Sequence, residues 1–181
     1  EADNFGLDAN LLDEKITNKT KAIMPMDYAG QSCKIREIND ITTKHDLILI
    51  EDAAQSLGAK FGSKFAGNFG QASAFSFYPA KVVGCFGDGG GVTTNDDYIY
   101  NKIFLTRDHG REKIGEVVTW GMNSRLDSMQ AAILDFKLSK YHLDIERRRQ
   151  LAEIYHLGLI DVKEIVLPRS PNFDKQRFEI Y

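Results

Sequence analysis

The sequence predicts an α/β fold of three layers around a mostly parallel sheet, on three observations. Apolar residues recur at helical spacing and at strand spacing in turn along the chain. The run Leu47-Ile48-Leu49-Ile50 is short, continuous and apolar, the pattern of a strand covered on both faces. Connections between these segments are short, as strand–helix alternation in such a domain requires. Composition agrees. The 181 residues are 43% hydrophobic and 27% charged, with 23 Lys plus Arg against 26 Asp plus Glu. That describes a globular chain with enough length for a buried core. It excludes a broadly basic nucleic-acid binder. No apolar run approaches the roughly 20 residues of a membrane helix.

Taken in order, residues 8 to 16 suit a short amphipathic helix, with Asp8 as its cap and Leu11, Leu12 and Ile16 on one face. Lys21 to Met26 reads as a strand leading into a turn at Tyr28-Ala29-Gly30. Residues 34 to 44 suit a helix burying Ile35, Ile38 and Ile41, and Leu47 to Ile50 follow as the central strand. Phe61-Gly62-Ser63-Lys64-Phe65 has the form of a small hairpin. Ala72 to Phe77 is a strand ended by Pro79, Gly91 to Thr94 another, and a helix runs from about Asp96 to Thr106. Ser124 to Tyr141 is predicted as a helix with Leu126, Met129, Ile133, Leu134 and Leu138 on a broad face. A charge-rich helix from about Leu143 to Leu157 carries Arg147-Arg148-Arg149 on a solvated face and stops at Gly158. Pro168 and Pro171 punctuate a last unit over residues 160 to 181.

In open α/β sheets ligands bind at the carboxyl ends of strands, and two segments place reactive groups there. Glu51-Asp52-Ala53-Ala54-Gln55-Ser56 follows the central strand. Asp52 is either a capping or turn residue or a ligand partner, because a carboxylate at a buried strand end is costly unless it meets a cation, a metal or several donors. Ser73 to Lys81 (SAFSFYPAK) is followed by Gly84 and by Gly87-Asp88-Gly89-Gly90-Gly91. Lys81 is either a surface lysine or an amine nucleophile able to form a Schiff base. The glycines make either a plain turn or a close approach of backbone to ligand. An acid at one strand end and a lysine at the next is the pair that pyridoxal phosphate requires: an imine-forming amine, and a carboxylate for the pyridine nitrogen. Cys33 and Cys85 have no metal-ligand or CxxC spacing and read as small buried residues in a reducing, cytoplasmic compartment. No metal site and no signal peptide is predicted.

EDAAQSLGA (Glu51 to Ala59), SAFSFYPAK (Ser73 to Lys81), GCFGDGGGVTTND (Gly84 to Asp96) and WGMNSRLDSMQAAIL (Trp120 to Leu134) together resemble the DegT/DnrJ/EryC1/StrS aminotransferases. The resemblance runs from Phe5 to about Tyr155. It implies an aspartate-aminotransferase-like large domain (fold type I of the pyridoxal phosphate enzymes), here incomplete. The implied activity is transfer of an amino group from an amino acid, glutamate, to a nucleotide-linked keto-sugar for glycan precursors. Lys81 is implied as the Schiff-base lysine and proton shuttle, and Asp52 as the pyridine partner. Ala54 would lie against the ring, Gln55 would bond the phenolic oxygen, and Ser76 would bond the phosphate. Asn123 is implied to reach the phosphate in a neighbouring subunit, so the active site is shared across a homodimer. Arg125 is either a substrate contact from the same direction or a salt-bridge residue at a helix start.

Lys81 separates the chain from the family's sugar dehydratases, which carry histidine there. Tyr78 stands where some relatives have His. His109 reads as structural, and His45, His142 and His156 as ordinary helix residues. Tyr78 to Gly90 is closer to members that aminate sugar carbon 3 than carbon 4. The N-terminal phosphate loop and stacking aromatic of the family have no recognisable counterpart before Lys81, so the chain reads as the middle of a longer enzyme. The expected division is part of the cofactor-binding large domain at 1–121, linking helices at 122–159, and the start of a small domain at 160–181. Two alternatives remain: another enzyme of the same fold, a lyase or dehydratase, or a truncated dimerising paralogue without catalysis.

Overall fold

The computed structural model describes residues 5–168 and 177–178. Pro171 and much of the expected last unit lie outside the described residues. A single 3-10 turn, Ala9–Leu11, is capped by the Asp8 side chain and runs into α1 (Leu12–Lys15). β1 is only Ala22–Ile23, shorter than the expected Lys21 to Met26. Pro25 interrupts it because proline has no N–H for the ladder. Pairing resumes at once: the Pro25 carbonyl accepts from the Asp52 N–H at 2.9 Å, and the Asp27 N–H donates to the Asp52 carbonyl at 3.1 Å.

α2 (Ile35–Lys44) buries Ile35 and Ile38 as its spacing requires. β2 (Ile48–Asp52) lies parallel to β1 and to β5 (Ala72–Ser76), and β5 pairs antiparallel with β6 (Gly90–Thr94). Strand order is β1-β2-β5-β6, mixed and mostly parallel. Between them β3 (Lys60–Phe61) and β4 (Lys64–Phe65) form the expected hairpin, with Gly62 at φ +62°. β9 (Arg177–Phe178) adds to β3 antiparallel. α3 (Asp97–Thr106) follows β6, its first N–H groups taken by the Asp96 side chain. β7 (Arg111–Lys113) and β8 (Glu116–Val117) make a projecting hairpin.

Among the described residues one face of the sheet is packed and the other is largely open. Ile23 and Leu49 point into a core built with Ala9, Leu12, Cys33, Ile35, Ile38 and Phe61. On the opposite face Met24 is 65% exposed and Ile48 47%. The expectation of a central strand covered on both faces is therefore met on one face only among the described residues. α3 flanks the open face, where its Tyr100, Ile103 and Phe104 line a cleft of about 670 Å³ with Ala74, Val92 and Thr94.

α4 (Ser128–Leu138) begins four residues later than the expected Ser124. The Ser124 N–H donates to the Arg107 carbonyl at 2.8 Å and Arg125 pairs with Asp108 at 3.4 Å, which keeps residues 123–126 against α3's end rather than in the helix. Of the apolar face expected on α4, Leu134 is buried, while Met129 and Leu138 are exposed. α5 (Tyr141–Leu159) runs through Gly158, which does not end it: that glycine is absent from the positive-φ positions that a glycine stop uses. Arg147 and Arg148 are exposed, as expected of a solvated face. Both cysteines are buried and free.

Candidate active site

Parallel pairing of β2 and β5, with Asp52 opposite Ala74, brings both carboxyl ends to one edge of the sheet. Asp52, Ala54 and Gln55 leave the end of β2, Ser76 ends β5, and Lys81 lies on the loop just beyond. This is the edge at which such sheets place ligands. The structure therefore brings five of the predicted residues to one edge.

The β2 end is held by carboxyl groups that have no freedom of their own. Leu49 and Glu51 share a face of β2, so Glu51 is carried into the interior with Leu49. It is 3% exposed, and its Oε2 accepts from the Gly67 N–H at 2.7 Å. Its Oε1 accepts from the N–H groups of Phe69 and Gly70. Three backbone donors thus bind one buried carboxylate and fold the 66–70 segment over the strand. Asp27, 4% exposed, makes a second such node. Its Oδ1 accepts from the Cys33 N–H at 2.9 Å and its Oδ2 from the Ser56 hydroxyl at 3.0 Å. Burial pushes the Asp27 carboxyl up to about 6, and the nearby Glu51 charge adds to that, against the pull of the Cys33 and Ser56 donors.

Between these nodes the exposed ends of the site residues stay available. Asp52 Oδ1 accepts from the Ala54 N–H at 3.1 Å, and Oδ2 has no partner among the described residues. The Gln55 side-chain oxygen accepts from the Ala29 N–H at 2.8 Å, which leaves its amide nitrogen as a donor without a partner among the described residues. Ala29 sits at φ +53°, so this bond also holds a strained turn. The Ser76 oxygen accepts from the Tyr78 N–H at 3.3 Å and keeps its O–H to give. The Lys81 amine makes no contact among the described residues; only its backbone N–H is engaged, with the Tyr78 carbonyl at 2.9 Å.

Asn123 and Arg125 lie elsewhere. They line the cleft on the open face beside α3, and none of Asp52, Ala54, Gln55, Ser76 or Lys81 lines it. The Asn123 side-chain oxygen accepts from Arg125 Nε at 3.2 Å, and Arg125 also reaches Asp108. Arg125 thus makes a salt bridge in this chain, but from the segment before α4 and not at a helix start. His109 takes φ +59° and donates its N–H to the Met122 carbonyl at 3.0 Å, a structural turn position.

Sequence reasoning missed four residues. Glu51 was legible in principle, because alternation from the buried Leu49 puts it inside. Asp27, Gln130 and Lys137 carry no local signal, since their partners lie between 6 and 53 residues away.

Comparison with known proteins finds the DegT/DnrJ/EryC1/StrS aminotransferase family model matching residues 1–180. The chain is 41% identical to the UDP-2-acetamido-2-deoxy-3-oxo-D-glucuronate aminotransferase of Pseudomonas aeruginosa, over 87% of this chain and 44% of that protein. It is 44% identical to the dTDP-3-amino-3,6-dideoxy-alpha-D-galactopyranose transaminase of Aneurinibacillus thermoaerophilus, over 86% of this chain and 43% of that protein. Among solved structures, Streptomyces venezuelae DesV in complex with a ketimine intermediate superposes with a TM-score of 0.91 at 35% identity, covering 99% of this chain and 47% of that one. The chain spans under half the length of these relatives.

Proposed function

The chain belongs to the DegT/DnrJ/EryC1/StrS aminotransferase family, and from that premise we propose that the whole protein is a pyridoxal phosphate-dependent aminotransferase acting on a nucleotide-linked keto-sugar, with glutamate as amino donor. The observation that carries this reading is the shared edge: Asp52 and the Lys81 loop leave neighbouring parallel strands at their carboxyl ends. The relatives' names, with their 3-oxo and 3-amino sugars, support sugar carbon 3 as the position aminated.

The donor set fits the cofactor. Pyridoxal phosphate brings one aldehyde, one protonated pyridine nitrogen, one phenolic oxygen and a phosphate. This edge offers an amine without a partner, a carboxylate oxygen without a partner, an amide N–H without a partner and a hydroxyl hydrogen, all among the described residues. When bound, the cofactor supplies an electrophilic carbon for amines and an electron-withdrawing ring. Asp52 Oδ2 would hold the proton on the pyridine nitrogen. Gln55 would donate to the phenolic oxygen, Ser76 to the phosphate, and the Ala54 methyl would lie against the ring. Lys81 Nζ would bind the aldehyde carbon, give way to the amino donor, and carry the proton to and from the substrate carbon. Asn123 and Arg125, which line the cleft beside α3, would serve the site of a second subunit in a homodimer. The division at 1–121, 122–159 and 160–181 belongs to the same proposal.

Adding pyridoxal phosphate to the full-length protein, reducing with borohydride and mapping the adduct tests the reading. The adduct is expected on Lys81, and amino-sugar nucleotide is expected from a 3-keto-sugar nucleotide plus glutamate. Lys81→Ala should lose the adduct and slow turnover by at least about a thousandfold. An adduct on another lysine, or unchanged turnover by Lys81→Ala, would sink the assignment.

A further inference from the structure

We propose that Gln130 and Lys137, on α4, are positioning residues for Lys81: they clamp the loop that carries it. The proposal rests on the reading of Lys81 as the lysine that binds the cofactor. The loop closes at its base, where the Phe77 N–H donates to the Gly89 carbonyl at 2.8 Å. The Cys85 N–H donates to the Phe77 carbonyl at 2.9 Å, and the Cys85 thiol donates to the same oxygen. The turn is tight enough that a β-carbon at Gly84 would sit 2.5 Å from the Tyr78 carbonyl oxygen. Since the Lys81 amine has no partner among the described residues, the backbone of this loop sets where it sits.

α4 grips that backbone at three points. Leu134 packs on Val83 and Cys85. The Gln130 side-chain oxygen accepts from the Phe86 N–H at 2.8 Å, across 44 residues of sequence. Lys137 Nζ donates to the Gly84 carbonyl oxygen and lies over the Phe86 ring, 5.3 Å from its centroid. Gln130, Leu134 and Lys137 are spaced i, i+4, i+7, one stripe along the helix. An apolar contact alone fixes how close helix and loop lie. It does not fix their register, because dispersion and burial are non-directional. The two hydrogen bonds are directional, and they bracket the loop three and five residues after Lys81.

The test uses the full-length protein carrying Gln130→Leu or Lys137→Met, with Gln130→Glu and Lys137→Arg as conservative counterparts. Three quantities are read: the pH titration of the Lys81 imine absorbance, the rate at which an amine-selective acylating reagent modifies Lys81 in cofactor-free protein, and kcat against KM. Both removal variants are expected to move the titration midpoint by about 0.5 pH unit or more. They should lower kcat roughly 10- to 100-fold with KM changed less than about threefold. The acylation rate at Lys81 should change about threefold or more. Gln130→Glu keeps the acceptor and Lys137→Arg keeps the cation and donor, so both should return toward wild type. If Lys137→Met does not fold, Phe86→Leu removes the exposed ring beneath the ammonium and should move the same quantities in the same direction. Variants that lower the melting temperature while the titration and the acylation rate stay put would overturn the clamp and leave the functional reading intact. A wild-type adduct on a lysine other than Lys81 would overturn the functional reading and this inference with it.

Discussion

Two regions of the molecule solve the problem of polar backbone in opposite ways. At the carboxyl edge of the sheet, Glu51 and Asp27 are buried and spend every carboxylate oxygen on a donor from the same chain. Between Arg111 and Met122, the hairpin and the segment after it stand in solvent: Ile114 and Trp120 are almost wholly exposed, at 106% and 96%. The first region is organised before any ligand arrives. The second has apolar side chains and, among the described residues, nothing laid over them. A site built for chemistry needs the first kind of order, because groups already in place do not have to be arranged during reaction. The second is the kind of surface that a subunit contact covers, which fits the homodimer proposed above.

The sharpest way to break this comparison is at Glu51. Glu51→Ala removes one carboxylate and strands the N–H groups of Gly67, Phe69 and Gly70. Buried donors left unpaired cost about 1–3 kcal/mol each. Urea unfolding of the full-length protein should therefore show a loss of about 4 kcal/mol or more, at the upper end for a single substitution. A loss under about 1 kcal/mol would mean that water replaces the carboxylate, and that the edge is not the rigid region described here.

Asp27 sharpens the same contrast through pH. Its folded pKa of about 6 stands above the ordinary 3.8, so folding favours the protonated form. The stabilising contribution of that proton is complete below pH 3.8 and lost as pH rises through 6. The displacement corresponds to about 3 kcal/mol. Asp27→Asn presents a neutral group of the same shape and escapes this dependence. The stability of wild type relative to Asp27→Asn should fall between pH 4 and pH 8 by roughly that amount. Unfolding curves at the two pH values measure it, and a constant difference would show that the Asp27 carboxyl ionises as readily in the folded protein as in the unfolded chain.

These two carboxyls also mark how far the sequence could be read. The elements were legible where periodicity is local: α2 from Ile35 and Ile38, the hairpin from Gly62-Ser63, β5 up to Pro79. The candidate edge was legible because motifs at two strand ends fall in a fixed order. What escaped is non-local. The start of α4 was misread by four residues because Arg107 and Asp108, far back in the chain, hold residues 124 and 125 outside it. The open face was misread from the apolar run at Leu47 to Ile50, since such a run states that a strand can be covered and not what covers it. Gly158 was misread as a stop because a glycine tolerates a helix as well as ending one.

The exposed region gives the smallest effect on folding and the clearest on association. Trp120 has little packing to lose among the described residues, so Trp120→Ser should alter the unfolding free energy of the separate subunit by less than about 0.5 kcal/mol. In the proposed homodimer the ring would be an anchor, and removing it should weaken association by about 2 kcal/mol, some thirtyfold in the dimer dissociation constant. The two effects separate by concentration. A protein stabilised by pairing unfolds at a higher temperature when more concentrated. Wild type should show that dependence at concentrations where Trp120→Ser has lost it, while at high dilution the two should unfold together. If Trp120→Ser is destabilised equally at every concentration, the ring packs within its own chain. The contrast between an edge satisfied from within and a hairpin completed from outside then fails on its second half.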